Sequence, residues 1–132
     1  PGTMQQHPSY GDVVAEVKAF LLERVEAVRT AGIPLQRISI DPGFGFGKTL
    51  EHNLELLRQL REFDALGVPV LAGWSRKSSL GRITGKPAGD RLAASIAAAL
   101  IAAQNGAGIL RVHDVAATRD ALAVLSAVEK NP

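Results

Sequence analysis

The sequence predicts an α/β fold built from repeated βα units, on three observations. Helix-period and strand-like segments alternate in the order α-βα-βα-βα. The strands begin near residues 37, 68 and 108, steps close to the roughly 30 residues per unit of an eight-fold βα barrel. Each strand also ends in a polar or glycine-rich cluster, which is where parallel α/β folds place ligands. Spacing alone leaves two architectures open, a segment of a closed barrel and part of a doubly wound open sheet.

The elements follow from local pattern. Val13, Val17, Phe20, Leu21, Val25 and Val28 recur at three- and four-residue steps, predicting a helix from Asp12, its N-cap, to Thr30. Gly32 and Pro34 stop it. "RISI" (37–40) is a short β-branched strand closed by a Pro-Gly turn. Thr49 caps a second helix with the face Leu50, Leu54, Leu57 and Leu60, ending near Leu66-Gly67. "VPVLAG" (68–73) is a buried strand followed by a long polar loop. Asp90 is expected to cap "RLAASIAAALIAAQN", with Gly106 in the left-handed position after the helix. "GILRV" (108–112) is the third strand, and a last helix covers Ala116 to Glu129.

Composition narrows the class. The 132 residues are enough for one ordinary domain, and 46% hydrophobic with 21% charged residues is globular. No run approaches the eighteen apolar residues of a membrane span. A net charge of +2 with scattered basic residues gives no nucleic-acid footprint. The absence of cysteine removes disulfides and thiolate metal sites and suits a cytoplasmic protein. The opening Pro1-Gly2-Thr3 reads as a loop already in progress.

"DPGFGFGKT" (41–49) is a near miss to two nucleotide motifs. Pro42, which has no N–H, stands where a P-loop needs its first glycine, and Lys48 stands where the dinucleotide fingerprint needs its third. Its value lies in what it shares a face with. Asp41, Ser75, Arg76, Lys77, Arg111 and His113 all follow strand ends, so a parallel sheet projects them together. Lys77, Arg76, Arg111 and His113 suit an anion such as a phosphate or carboxylate. Asp41 suits a flat heterocycle with paired N–H groups, the glycines permit close approach, and Phe44 and Phe46 can cover an aromatic ring.

Plainer readings stand beside these. Asp41 before Pro42 suits a turn, and Arg76 or Lys77 alone suits a solvated loop. Asp114 suits an N-cap, Lys48-Thr49 a structural pair, and His7 and His52 the plain surface. Trp74 fits packing and pocket lining equally. Only co-location at three strand ends favours function.

At this point the chain resembles the dihydropteroate synthase family of pterin-binding barrels, the folate-pathway target of sulfonamides. "DPGFGFGKT", "GWSRKS" and "RVHDV" are similar to three of its signatures, in order and spacing. The opening "PGTMQQHPSY" is similar to the segment after the family's Met-His-Met stretch, and the likeness runs from Pro1 to about Ala127. The resemblance implies a (β/α)8 TIM barrel that joins para-aminobenzoate to 6-hydroxymethyl-7,8-dihydropterin diphosphate and releases diphosphate. It implies that Asp41, Gly73, Lys77 and Arg111 bind the pterin. Phe46, Ser75 and Arg76 bind the aminobenzoate, Arg111 and His113 the diphosphate, and Lys77, Arg111 and His113 serve catalysis.

One departure follows. The 132 residues hold what look like the last three βα units and the preceding helix, the C-terminal half of a single barrel domain. Three strands leave an unpaired apolar edge. The resemblance further implies Mg2+ with its ligand in the other half, so none of these residues is expected to bind metal. It also implies a homodimer for the full-length protein, with no nucleic-acid or membrane partner. Two alternatives compete, a pterin-binding methyltransferase that moves a methyl group from a folate to a corrinoid, and an inactive half-barrel.

Overall fold

The computed structural model describes residues 11–130, so His7 and the opening segment lie outside the described residues. Helix α1 spans Val13–Thr30, and Asp12 caps it by accepting the Ala15 amide at 3.1 Å. Val13, Val14, Val17 and Val25 are buried, but Phe20 is 60% exposed, against the expected apolar face. It borders a hollow lined also by Val17, Leu21, Pro42 and Phe46.

The predicted strand 37–40 is reduced to one residue. Leu35–Arg37 form a 3-10 turn, and only Ile40 pairs, in parallel, with Val70. Ile40 donates to the Pro69 carbonyl and accepts from the Leu71 amide. A strand with one neighbour among the described residues has half its ladder, which shortens it. Strand β1 is Leu71–Ala72 and β2 is Ile109–Leu110, paired in parallel with Leu71 opposite Ile109. Both are shorter than the expected runs 68–73 and 108–112; β2 has one neighbour among the described residues, whereas β1 lies between β2 and the Ile40 bridge.

Helix α2 covers Leu50–Arg58, followed by a 3-10 segment Leu60–Leu66 that ends at Gly67. Thr49 accepts the His52 amide, and His52 Nδ1 accepts the Thr49 amide, both at 3.1 Å. His52 is therefore half of a capping box and not a plain surface residue. Helix α3, Ser78–Thr84, occupies the expected polar loop. Its serines, Gly81 and β-branched residues are weak helix formers, and tertiary contact holds it. The Arg91 guanidinium lies against Gly81, where a Cβ would collide with it.

Helix α4 covers Leu92–Gln104. Asp90 sits in the preceding 3-10 turn, so the expected Asp90 cap does not form. At the other end Gly106 adopts φ +105°, donating to Ala103 while Ala107 donates to Ala102, the double closure of a Schellman motif. Helix α5 is Val115–Glu129; Asp114 precedes it but makes no side-chain cap.

Strand order follows chain order, and each helix packs on the next, α1 on α2 through to α5. Right-handed crossovers in a sheet that grows in one direction put every helix on one face. That is the construction of a barrel wall, whereas a doubly wound sheet reverses direction and splits its helices between two faces. The core between the layers is centred on Phe44, Leu56, Leu60 and Phe63, all at most 1% exposed. Truncating any of them to alanine costs about 2–5 kcal/mol. Among the described residues no helix is long and apolar enough to cross a membrane.

Candidate active site

The three strand ends converge on one cavity of about 390 Å³, lined by Asp41, Phe46, Gly73, Ser75, Lys77, Arg111, Val112 and His113. Seven of the eight residues to which the family resemblance gives a site role are in that lining. Arg76 is the exception.

The glycine-rich turn shapes one wall. Asp41 Oδ1 accepts the Gly43 amide at 2.8 Å, a local turn that leaves Oδ2 with no hydrogen-bond donor among the described residues. Gly43, Gly45 and Gly47 all have positive φ, a conformation in which other residues are strained. The turn's carbonyls point at cations. Lys48 Nζ donates to the Gly43 and Phe46 carbonyls, each at 2.9 Å, and Lys77 Nζ donates to Phe44 at 2.6 Å. The structural reading of Lys48-Thr49 holds, one residue gripping the turn and the other capping α2. Phe44 is buried in the core against Trp74, ring centroids 5.3 Å apart, so only Phe46 remains to cover a ligand. Phe46 is 61% exposed, with Lys77 Nζ 5.4 Å from its ring centroid. Trp74, buried in that same core, is a packing residue.

Gly73 forms the floor. A Cβ built there would touch the Arg111 stem at 3.7 Å and Lys77 Nζ at 3.9 Å, so both long side chains lie over a bare patch of backbone. On the far wall one hydroxyl locks two strand ends together. Ser75 Oγ accepts the His113 amide at 3.2 Å and lies 2.8 Å from His113 Nδ1, leaving Nε2 as the ring nitrogen open to a ligand.

Arg76 turns away. Its guanidinium pairs with Asp114, Nη2 to Oδ1 at 3.1 Å, which is also why Asp114 caps nothing. Its backbone sits at φ +58°, the one non-glycine residue in the left-handed region among the described residues. Ser95 Oγ accepts its amide at 2.9 Å and Arg91 donates to its carbonyl at 3.0 Å, and together they hold that strained turn.

The cavity's field is positive. Burial pushes the Lys77 ammonium below the ordinary lysine range, opposed by Asp41 and reinforced by Arg111. Burial lowers Lys48 too, again opposed by Asp41, with Lys77 adding to the fall. An anion entering this space would restore the charged forms. One carboxylate, donors from Lys77, Arg111 and His113, a bare floor and an exposed phenyl ring can together hold a flat heterocycle with an anionic tail.

Sequence reasoning missed Asn53. It is 2% exposed and accepts the Gly45 amide at 2.8 Å. The signal was present: Leu50, Asn53, Leu57 and Leu60 share one helical face, and a lone amide on an apolar face needs a partner.

Comparison with known proteins bears on the family and the fold. The family model described as "Pterin binding enzyme" matches residues 1–113. The dihydropteroate synthase of Haemophilus influenzae is 53% identical over 127 residues, 96% of this chain and 46% of that protein. The Escherichia coli K12 enzyme is 46% identical over 96% of this chain and 45% of its own length. The chain thus spans about half the length of the curated relatives it matches. Solved structures match closely as well. The Xanthomonas albilineans dihydropteroate synthase in complex with 7,8-dihydropteroate has a TM-score of 0.92 at 57% identity, over 95% of this chain and 48% of that one. The Thermus thermophilus enzyme with 4-aminobenzoate has a TM-score of 0.93 at 52% identity, over 98% and 53%. The Yersinia pestis enzyme with a sulfonamide drug has a TM-score of 0.92 at 41% identity, over 96% and 46%. The chain belongs to the pterin-binding enzyme family, and its α-βα-βα-βα order is part of a (β/α)8 TIM barrel.

Proposed function

We propose that the full protein is a dihydropteroate synthase, and that residues 1–132 are the C-terminal half of its single barrel domain. The observation that carries this reading is the gathering of Asp41, Phe46, Gly73, Ser75, Lys77, Arg111 and His113, from three separate strand ends, around one cavity. Relatives solved with dihydropteroate, 4-aminobenzoate and a sulfonamide support the choice of ligands.

In this reading Asp41 Oδ2 accepts from the amino-pyrimidine edge of the pterin, and Gly73 lets the ring lie against the sheet. Lys77 reaches the ring from the adjoining strand end. Arg111 lies along the ring face and, with His113, donates to the diphosphate. Phe46 covers the aminobenzoate ring. Ser75 acts through His113, which it orients, and Arg76 shapes the turn that presents Ser75 and Lys77. The aminobenzoate nitrogen attacks the exocyclic methylene of the pterin, the carbon–oxygen bond breaks, diphosphate leaves with the electron pair and the amine sheds a proton. Donors fixed near the leaving oxygens stabilise that charge as it develops.

A Mg2+ ion would not suit the residues of this half. Among those described no three His, Cys, Asp or Glu side chains gather, and Asp41 stands among Lys48, Lys77 and Arg111. In this reading the Mg2+ ligand is expected in the other half, and Arg111 and His113 are what the described residues offer the diphosphate. We further propose a cytoplasmic homodimer for the full-length protein, a reading that rests on the family resemblance alone; Val124 and Val128 on α5, 67% and 79% exposed, are apolar surface that either the other half of the barrel or a partner would cover.

Calorimetry on the full-length protein tests the reading. Pterin diphosphate should bind, and 4-aminobenzoate should bind after it. Preference for a methyl-folate over the pterin diphosphate would overturn the reading in favour of a methyltransferase.

A further inference from the structure

Asn53 lies behind the cavity wall without lining it, and it bridges two of the wall's segments. Its Oδ1 accepts the Gly45 amide at 2.8 Å, and its Nδ2 donates to Ser79 Oγ at 3.2 Å. Ser79, 7% exposed, stands two residues beyond Lys77 in α3. One buried amide therefore ties the glycine-rich turn to the segment that carries Lys77.

The atom it grips matters. Gly45 N–H and the Phe44 carbonyl are the two ends of a single peptide plane, and in a trans peptide they point in opposite directions. Asn53 takes one end and Lys77 Nζ takes the other, at 2.6 Å. Turning that plane over would remove the carbonyl from Lys77 and leave the Gly45 amide unpaired. Gly45 has φ +90°, so without the bridge the turn has the conformational freedom of glycine. The next residue is Phe46, whose ring stands in the cavity.

We propose that Asn53 is a positioning residue, fixing the Phe44–Gly45 peptide so that Lys77 and the Phe46 ring are held in register across the cavity. This rests on the dihydropteroate synthase reading. Asp41 keeps its own turn through Gly43 and does not depend on Asn53. The bridge should therefore matter more for the aminobenzoate beneath Phe46 than for the pterin on Asp41.

The test uses the full-length enzyme, with steady-state constants for both substrates measured well below each variant's melting temperature. Asn53→Leu keeps the approximate shape and removes both hydrogen bonds. Its aminobenzoate KM should rise on the order of ten-fold, the worth of leaving one buried amide unpaired, while the pterin diphosphate KM changes little. Asn53→Asp, which still presents an acceptor to Gly45, should recover most of the loss. If Asn53→Leu fails to fold, Ser79→Ala removes the far end of the bridge at small volume cost and should raise the same KM by a smaller factor. A lowered melting temperature with both KM values unchanged would reduce Asn53 to a structural role and overturn the inference, although the unaltered enzyme still makes product. No product from the unaltered enzyme would overturn the functional reading and this inference with it.

Discussion

Replacing Gly73 by alanine should separate folding from binding. Gly73 is outside the left-handed region, so alanine can adopt its backbone conformation. The added methyl would meet Arg111 Cβ at 3.7 Å, Lys77 Nζ at 3.9 Å and Arg111 Cδ at 4.0 Å, all ordinary contacts. The folded protein should accept it, and the loss of glycine's freedom in the unfolded chain should stabilise by about 0.4–1 kcal/mol. The ligand has no such tolerance, because the methyl rises from the floor on which the pterin lies. Overfilling a packed contact by one methyl costs about 1–3 kcal/mol, a roughly 5- to 150-fold loss of affinity. The assay is titration calorimetry of pterin diphosphate into the full-length Gly73→Ala protein, with a melting curve on the same sample. Unchanged affinity in a variant that melts normally would refute the claim that the pterin rests on Gly73.

Three further predictions follow from the same geometry. Arg111→Lys should weaken diphosphate binding although it keeps the charge, because only a planar guanidinium can lie on a ring and donate two parallel hydrogen bonds; calorimetry showing equal affinity would reduce Arg111 to a field charge. Burial lowers Lys77, so between its folded pKa and the ordinary lysine range the unfolded chain holds a proton that the folded one lacks. Stability should therefore rise with pH across that window while anion affinity falls, and denaturant titrations of Lys77→Met should show a smaller rise. The isolated 132-residue chain should self-associate through its uncovered edge and make no dihydropteroate; a monomer in sedimentation that turns over substrate unaided would contradict this.

The order of elements and the gathering of the site were legible because both follow from period and position. Asp12 and Thr49 announced helix starts, Gly106 announced an end, and residues after three parallel strands had to share a face. What was not legible depended on contacts distant in sequence. Helix α3 has weak local propensity and is held by Arg91 packed on Gly81. Asp90 and Asp114 both resemble caps, but the first falls in a 3-10 turn and the second is taken by Arg76. Charge at a strand end gives Arg76 the look of a ligand group; in the structure its guanidinium pairs with Asp114 and it stays out of the cavity lining, which depends on that distant partner and on its left-handed backbone. Phe44 and Phe46 are two apart in sequence, yet one is buried against Trp74 and the other stands in the cavity, a division set by the glycines around them.

The central claim is that these three strand ends carry half of a dihydropteroate-forming site, and product detection tests it most directly. Full-length enzyme given pterin diphosphate and para-aminobenzoate should release dihydropteroate and diphosphate in equal amounts by mass spectrometry. Lys77→Ala, which gives up one hydrogen bond to the Phe44 carbonyl, should stay folded at the assay temperature and lose turnover by roughly two orders of magnitude or more, because it removes the charge aimed at the reacting ring. No dihydropteroate from the unaltered enzyme, or near-normal turnover in Lys77→Ala, would contradict the account.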